Sequence, residues 1–140
     1  MLKKNARHLD SHYLLGTLFA QQGKRQKAFQ HLNSAARLNP ESPLVQTNLG
    51  ILHQQDGNYQ QAEECLRAAI AIDSGLFQGH FNLAIVLQNE NRLPEAIQSL
   101  LSALQIDPHF PQALLRIAQL QKETGNISLA EFYAAKALQQ

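Results

Sequence analysis

The chain has 140 residues, 44% hydrophobic and 16% charged, which suits one ordinary globular domain and is too short for two generous ones. Its 12 Lys and Arg against 11 Asp and Glu give a formal net charge of +1 with no long single-sign run, which argues against nucleic acid or an acidic membrane surface as partner. One cysteine, Cys65, excludes an internal disulfide, and with no signal-like leader or membrane-length apolar run a cytoplasmic chain is expected.

Taken in chain order, residues 1–8 read as the closing helix and turn of a preceding repeat or an N-terminal extension, because Asn5-Ala6 echoes the later Asn39-Pro40. Residues 9–42 read as two helices. Tyr13, Leu14, Leu15, Leu18 and Phe19 recur at helical spacing, Gly23 marks a turn, and a second helix follows through Ala28 and Ala35. In residues 43–76 Ser42 caps a helix that begins on Pro43. Gly57 ends that helix, and Asn58 with Gln61 resembles a capping box for the next. Residues 77–110 carry Leu83, Val86 and Leu87, then Asn91, then Leu100, Leu101, Ala103 and Leu104. Residues 111–140 repeat the plan around Gly125, with Asn126 as the expected cap, and stop at Gln140 without a polar capping helix.

These units share a period of 34 residues: Ala28, Ala62, Ala96 and Ala130 stand 34 apart, as do Ala35, Ala69, Ala103 and Ala137. Leu15, Leu49, Leu83 and Ile117 keep the same step, and so do Gly16, Gly50, Ala84 and Ala118. A fifth column, Gly23, Gly57, Asn91 and Gly125, holds residue types that accept the left-handed backbone closing a helix. Five columns in register predict four stacked helix pairs. Small residues at Gly16 and Gly50 are expected to face Ala28 and Ala62 and let the paired backbones approach closely.

The columns resemble the tetratricopeptide repeat, whose pattern runs W-x2-L-G-x2-Y, then A-x3-F, then P. The first unit offers His12, Leu15-Gly16, Phe19, Ala28-x3-Leu32 and Pro40, and the others follow in step over residues 9–140. In the tryptophan column stand His12, Gln46, His80 and Leu114, so packing there is expected to be more polar than usual. The resemblance implies an all-α, right-handed α-solenoid of four antiparallel helix pairs that binds another protein or peptide and is not an enzyme.

It also implies that the first helix of each unit lines a concave channel. The residues it places there are Tyr13, Leu14 and Thr17; Thr47, Asn48 and Ile51; Gln78, Phe81, Asn82 and Ile85; and Gln112, Leu115, Arg116 and Gln119. Such a surface is neutral and amide-rich, suited to hydrogen bonding with a peptide backbone. Asn48 and Asn82 look like two rungs of the asparagine ladder of the O-linked N-acetylglucosamine transferase family, interrupted by Leu14 and Arg116 in the outer units. The carboxylate clamp of chaperone-binding repeats is largely missing, since Tyr13, Thr17 and Gln78 stand at its positions in the first three units. Two alternatives accompany the scaffold reading. One is the substrate-recruiting array of a larger transferase. The other is homo-oligomer formation through terminal helices, using Ile127, Leu129, Phe132 and Tyr133.

Chemistry finds little support in the residue pattern. The six histidines are read as packing or solvated positions, with no metal and no cofactor expected. Cys65 lacks an identifiable base, Glu63-Glu64 points in two directions on a helix, and no phosphate-binding glycine motif occurs.

Overall fold

The computed structural model describes the backbone of residues 2–139 and the side chains of residues 11–139. Among the described residues it is built of eight α-helices with no strand, and it divides into two units, residues 1–74 and 75–140. In the first unit α1 (Leu2–Gln21) packs along α2 (Arg25–Leu38), and α3 (Pro43–Gln55) along α4 (Tyr59–Ile72). The two pairs join through α2 against α3 and α1 against α3. In the second unit α5 (Phe77–Asn89) pairs with α6 (Leu93–Ile106) and α7 (Pro111–Glu123) with α8 (Ile127–Leu138), joined through α6 against α7.

One turn device closes the first helix of every pair. Gly23, Gly57 and Gly125 take φ of 76°, 80° and 87°, and Asn91 takes 60°. Two backbone bonds accompany each. In the second pair Asn58 N donates to His53 O at 2.8 Å and Gly57 N to Gln54 O at 3.1 Å, the double bond that satisfies the last carbonyls of a helix ending in a left-handed residue. Equivalent bonds run from Lys24 to Phe19, from Arg92 to Leu87 and from Asn126 to Gln121.

This turn also explains why two expected caps are not made. Ser42, in extended backbone, accepts from Val45 N at 3.4 Å. Asn58 and Asn126 make no side-chain cap bond. Each follows the left-handed residue directly, with ψ near 70°, outside the extended backbone from which a side chain reaches the first free N–H groups. The Asn126 amide turns instead to Gln121 Oε1 at 2.9 Å. The turn expected within residues 5–8 is absent as well, because α1 runs unbroken from Leu2 to Gln21. Where Pro40 and Pro43 break the chain one period later, this stretch has Ala6 and Leu9, which continue a helix readily.

The core follows the columns. Ala28, Leu32, Ala35, Val45, Leu49 and Leu52 form one buried cluster in the first unit, with Ala62, Leu66 and Ala69 also buried. Leu83, Val86, Leu87, Ala96, Leu100, Leu114, Ile117 and Leu120 are buried in the second. Burying each such leucine contributes about 1.5–3 kcal/mol. The small residues at positions 16 and 50 face somewhat differently from expectation. A Cβ on Gly16 would lie 2.6 Å from Leu32 Cγ, and one on Gly50 would lie 2.7 Å from Leu66 Cγ and 3.3 Å from Ala62 O. The glycines thus seat the leucines of the second helix, and Ala62 contributes its backbone rather than its methyl group. A leucine's bulk exceeds an alanine's, so it is the residue that demands the recess.

Candidate functional site

The first helices α3, α5 and α7 begin at Pro43, Phe77 and Pro111, and their partly exposed faces hold most of the residues singled out in the sequence. In the first unit Tyr13, Thr17, Asn48 and Ile51 are half-buried. Thr17 Oγ1 donates to Leu14 O at 2.9 Å. Thr47 does not present itself to a ligand: it is 3% exposed, and its hydroxyl donates to Pro43 O at 2.7 Å. That helix starts on a proline only four residues earlier, so Thr47 bonds inward along its own turn.

The second unit gathers a denser constellation. Phe77 and Phe81 of α5 and Phe110, which caps α7, have ring centroids 4.6–5.8 Å apart. Arg116 crosses from α7, donating from Nη1 to Gln88 Oε1 at 2.8 Å, with its guanidinium 5.7 Å from the Phe81 ring centroid. A planar cation over an aromatic face is attracted by the ring quadrupole, and the amide fixes its fork. Asn82 Nδ2 donates back to Gln78 O at 2.8 Å, which leaves its Oδ1 and its second N–H for a ligand. Gln78, Gln112 and Gln119 are exposed, the last reaching Glu123 at 3.3 Å. The aromatic triad around Phe81 escaped sequence reasoning in part. Phe77 and Phe110 lie 33 residues apart at unit boundaries, and only the fold brings them together.

A second surface lies on α7 and α8, where Ala118, Ile127, Ala130 and Ala134 line an apolar recess of about 470 Å³. Ile127, Leu129 and Phe132 are exposed, Phe132 by 52%, and Tyr133 meets Phe132 edge to face.

Burial, with Glu64 adding to it, pushes the Cys65 thiol up and keeps it protonated. Among the described residues no group of three or more His, Cys, Asp or Glu is placed to hold a metal ion. His53, 4.8 Å from Phe29, has a buried Nδ1 without a hydrogen-bond partner. Burial holds its imidazole below the ordinary histidine value, outweighing Asp56, which acts the other way. Protonation is therefore easier in the unfolded chain, and the His53 contribution to stability is complete above about pH 6.5. It is lost as pH falls from there to the lowered folded value. Urea unfolding across this range is expected to show that loss, and His53→Phe to remove this part of it.

His12 and His31 are brought together across the first pair, with Nδ1 atoms 3.1 Å apart. Their spacing of 19 residues gave no sign of this.

Comparison with known proteins agrees with the helix pairs. Two models of the tetratricopeptide repeat match residues 19–78 and 77–110, together more than half of the chain. The chain belongs to the tetratricopeptide-repeat family, with the all-α solenoid fold and protein-interaction scaffold role that define it. Among curated proteins none matches it in sequence. Of the solved structures it is similar to, MamA has a TM-score of 0.90 at 23% identity, over 99% of this chain and 81% of that one. The pilF protein of Pseudomonas aeruginosa gives 0.87 at 25%, over 97% and 62%. An O-GlcNAc transferase mutant from Thermobaculum terrenum gives 0.79 at 25%, over 84% of this chain and 22% of that one. No described helix is long and apolar enough to cross a membrane.

Proposed function

We propose that this scaffold is non-catalytic and holds a peptide segment of a partner protein along the concave first-helix faces. The supporting observation is the Arg116 guanidinium, held by Gln88 over the Phe81 ring on the partly exposed faces of α5 and α7. A fixed donor fork over an aromatic floor, with the Asn82 amide on the same helix as Phe81, suits a peptide backbone and one apolar side chain, and these groups perform no bond chemistry. Tyr13, Thr17, Asn48 and Ile51 extend the same kind of surface in the first unit, and Gln78, Gln112 and Gln119 in the second. Affinity capture followed by mapping of the captured partner to a minimal peptide supplies the probe. Replacing Asn48 and Asn82 together by alanine is expected to weaken that peptide about tenfold, roughly 1.4 kcal/mol, with helicity unchanged. Unchanged affinity in a folded variant would reject the first-helix face as the site.

A second reading rests on Ile127, Leu129, Phe132 and Tyr133, three of which are exposed apolar residues beside the α7–α8 recess. It makes α8 a self-association surface. Sedimentation at increasing concentration separates the two, since a strict monomer leaves this reading without content.

A further inference from the structure

Resting on the peptide-holding role proposed above, we infer that Arg116 selects acidic partners: the bound segment carries an internal aspartate or glutamate whose carboxylate docks on the guanidinium. The Arg116 side chain is half-buried and positioned twice, by Gln88 Oε1 at 2.8 Å and by the Phe81 ring at 5.7 Å. Neither contact supplies a counter-charge. Arg25, Arg67 and Arg92 each meet a carboxylate, at 3.0, 2.8 and 2.6 Å, and Arg37 is exposed. Among the described residues Arg116 is thus the half-buried arginine that has no carboxylate partner. Helix α5 contains no acid, and the one acid of α7, Glu123, accepts from Gln119 Nε2 at 3.3 Å.

A cation withdrawn from part of its water is best satisfied by an anion, and a carboxylate matches the planar guanidinium two donors at a time. Gln88 occupies one of the five N–H donors, which leaves a pair for both carboxylate oxygens. The half-buried rings of Phe77 and Phe110 pack about Phe81. This apolar surround lowers the local dielectric, strengthens the ion pair and favours an apolar residue next to the acidic one. A terminal carboxylate fits less well, because several converging cations are lacking. The exposed neighbours Gln78, Gln112 and Gln119 are uncharged amides, α5 has no lysine or arginine, and Lys122 lines the recess with Ile127 and Glu131. One guanidinium among amides suits one side-chain carboxylate in a chain whose backbone continues past it.

The test is selection, on the intact chain, of random peptides displayed on phage and fused through their C-termini, so that no terminal carboxylate is offered. Recovered peptides are synthesised with amidated ends and a fluorescent label, and affinity is read by anisotropy. An aspartate or glutamate is expected at one shared position, and its replacement by asparagine or glutamine is expected to weaken binding about tenfold. Added salt is expected to weaken the acidic peptide and not its amide counterpart. Arg116→Gln is expected to bind both forms equally, and Arg116→Lys to keep part of the preference. Equal affinity of the acidic and amide peptides for the unaltered chain overturns this selectivity, whatever the variants do. Peptides that lose affinity for the Asn48→Ala, Asn82→Ala double variant but show no acidic preference leave the first-helix face standing and overturn the role of Arg116 alone. Peptides indifferent to the substitutions at all three positions, or recovery of no peptide, overturn the face and the selectivity together.

Discussion

Leu66→Ala is expected to destabilise the first unit by about 2–5 kcal/mol, a large share of the 5–15 kcal/mol that keeps a typical domain folded. Leu66 is fully buried in α4 and occupies the recess left by Gly50 of α3. Truncation loses the transfer energy of its isobutyl group and leaves a space that two rigid helices cannot collapse into. Urea unfolding followed by circular dichroism measures the loss. A companion variant identifies its cause. A Cβ on Gly50 would lie 2.7 Å from Leu66 Cγ, so Gly50→Ala alone strains the pair, whereas in the Leu66→Ala background the added methyl group fills part of the cavity. Alanine is also the better helix former by about 1 kcal/mol. The double variant is therefore expected to be more stable than Leu66→Ala alone. Additive losses would mean that Gly50 and Leu66 do not share a recess.

The same glycine–leucine contact shows what could be read from residues in advance. The 34-residue period was legible because helix pairs repeat one packing solution, and each column meets the same constraint in every unit. The left-handed turn was legible because Gly23, Gly57 and Gly125 share a backbone demand, and Asn91 is the residue type that meets it next best. Ser42 was legible as a cap because Pro43 fixes where the helix starts. Partners across a helix pair were harder. Periodicity says which face is inward but not which side chain meets which, so Gly50 is expected to face Ala62, whose carbonyl oxygen is near it, while the side chain nearest it is Leu66. Asn58 and Asn126 have the right identity for caps, but the preceding turn already uses their backbone and sets a ψ from which the side chain does not cap. Thr47 fell on the expected face by counting along the helix, yet its short side chain bonds to its own first turn. The His12–His31 contact and the Phe77–Phe81–Phe110 cluster join residues from different elements, and no local pattern encodes such a meeting.

Ala96→Leu probes the register of the second unit in the opposite sense, by adding volume where none is free. Ala96 of α6 is 0% exposed and stands one period after Ala62, whose carbonyl oxygen lies within 3.3 Å of the Cβ position at Gly50. Leucine and alanine are both good helix formers, so the substitution leaves α6 intrinsically stable and isolates the packing term. Three more carbon atoms at this point must displace α5 or force an unfavourable rotamer, and the cost is expected to be about 1–3 kcal/mol. Ala130→Leu supplies the internal contrast. It stands one further period on, 8% exposed in α8, and borders the open recess on α7 and α8, into which a larger side chain can turn. Its penalty is expected to be smaller than that of Ala96→Leu. Equal penalties would show that the α8 recess gives no relief, and an unchanged melting temperature for Ala96→Leu would mean that the alanine column does not mark the closest approach of the paired helices.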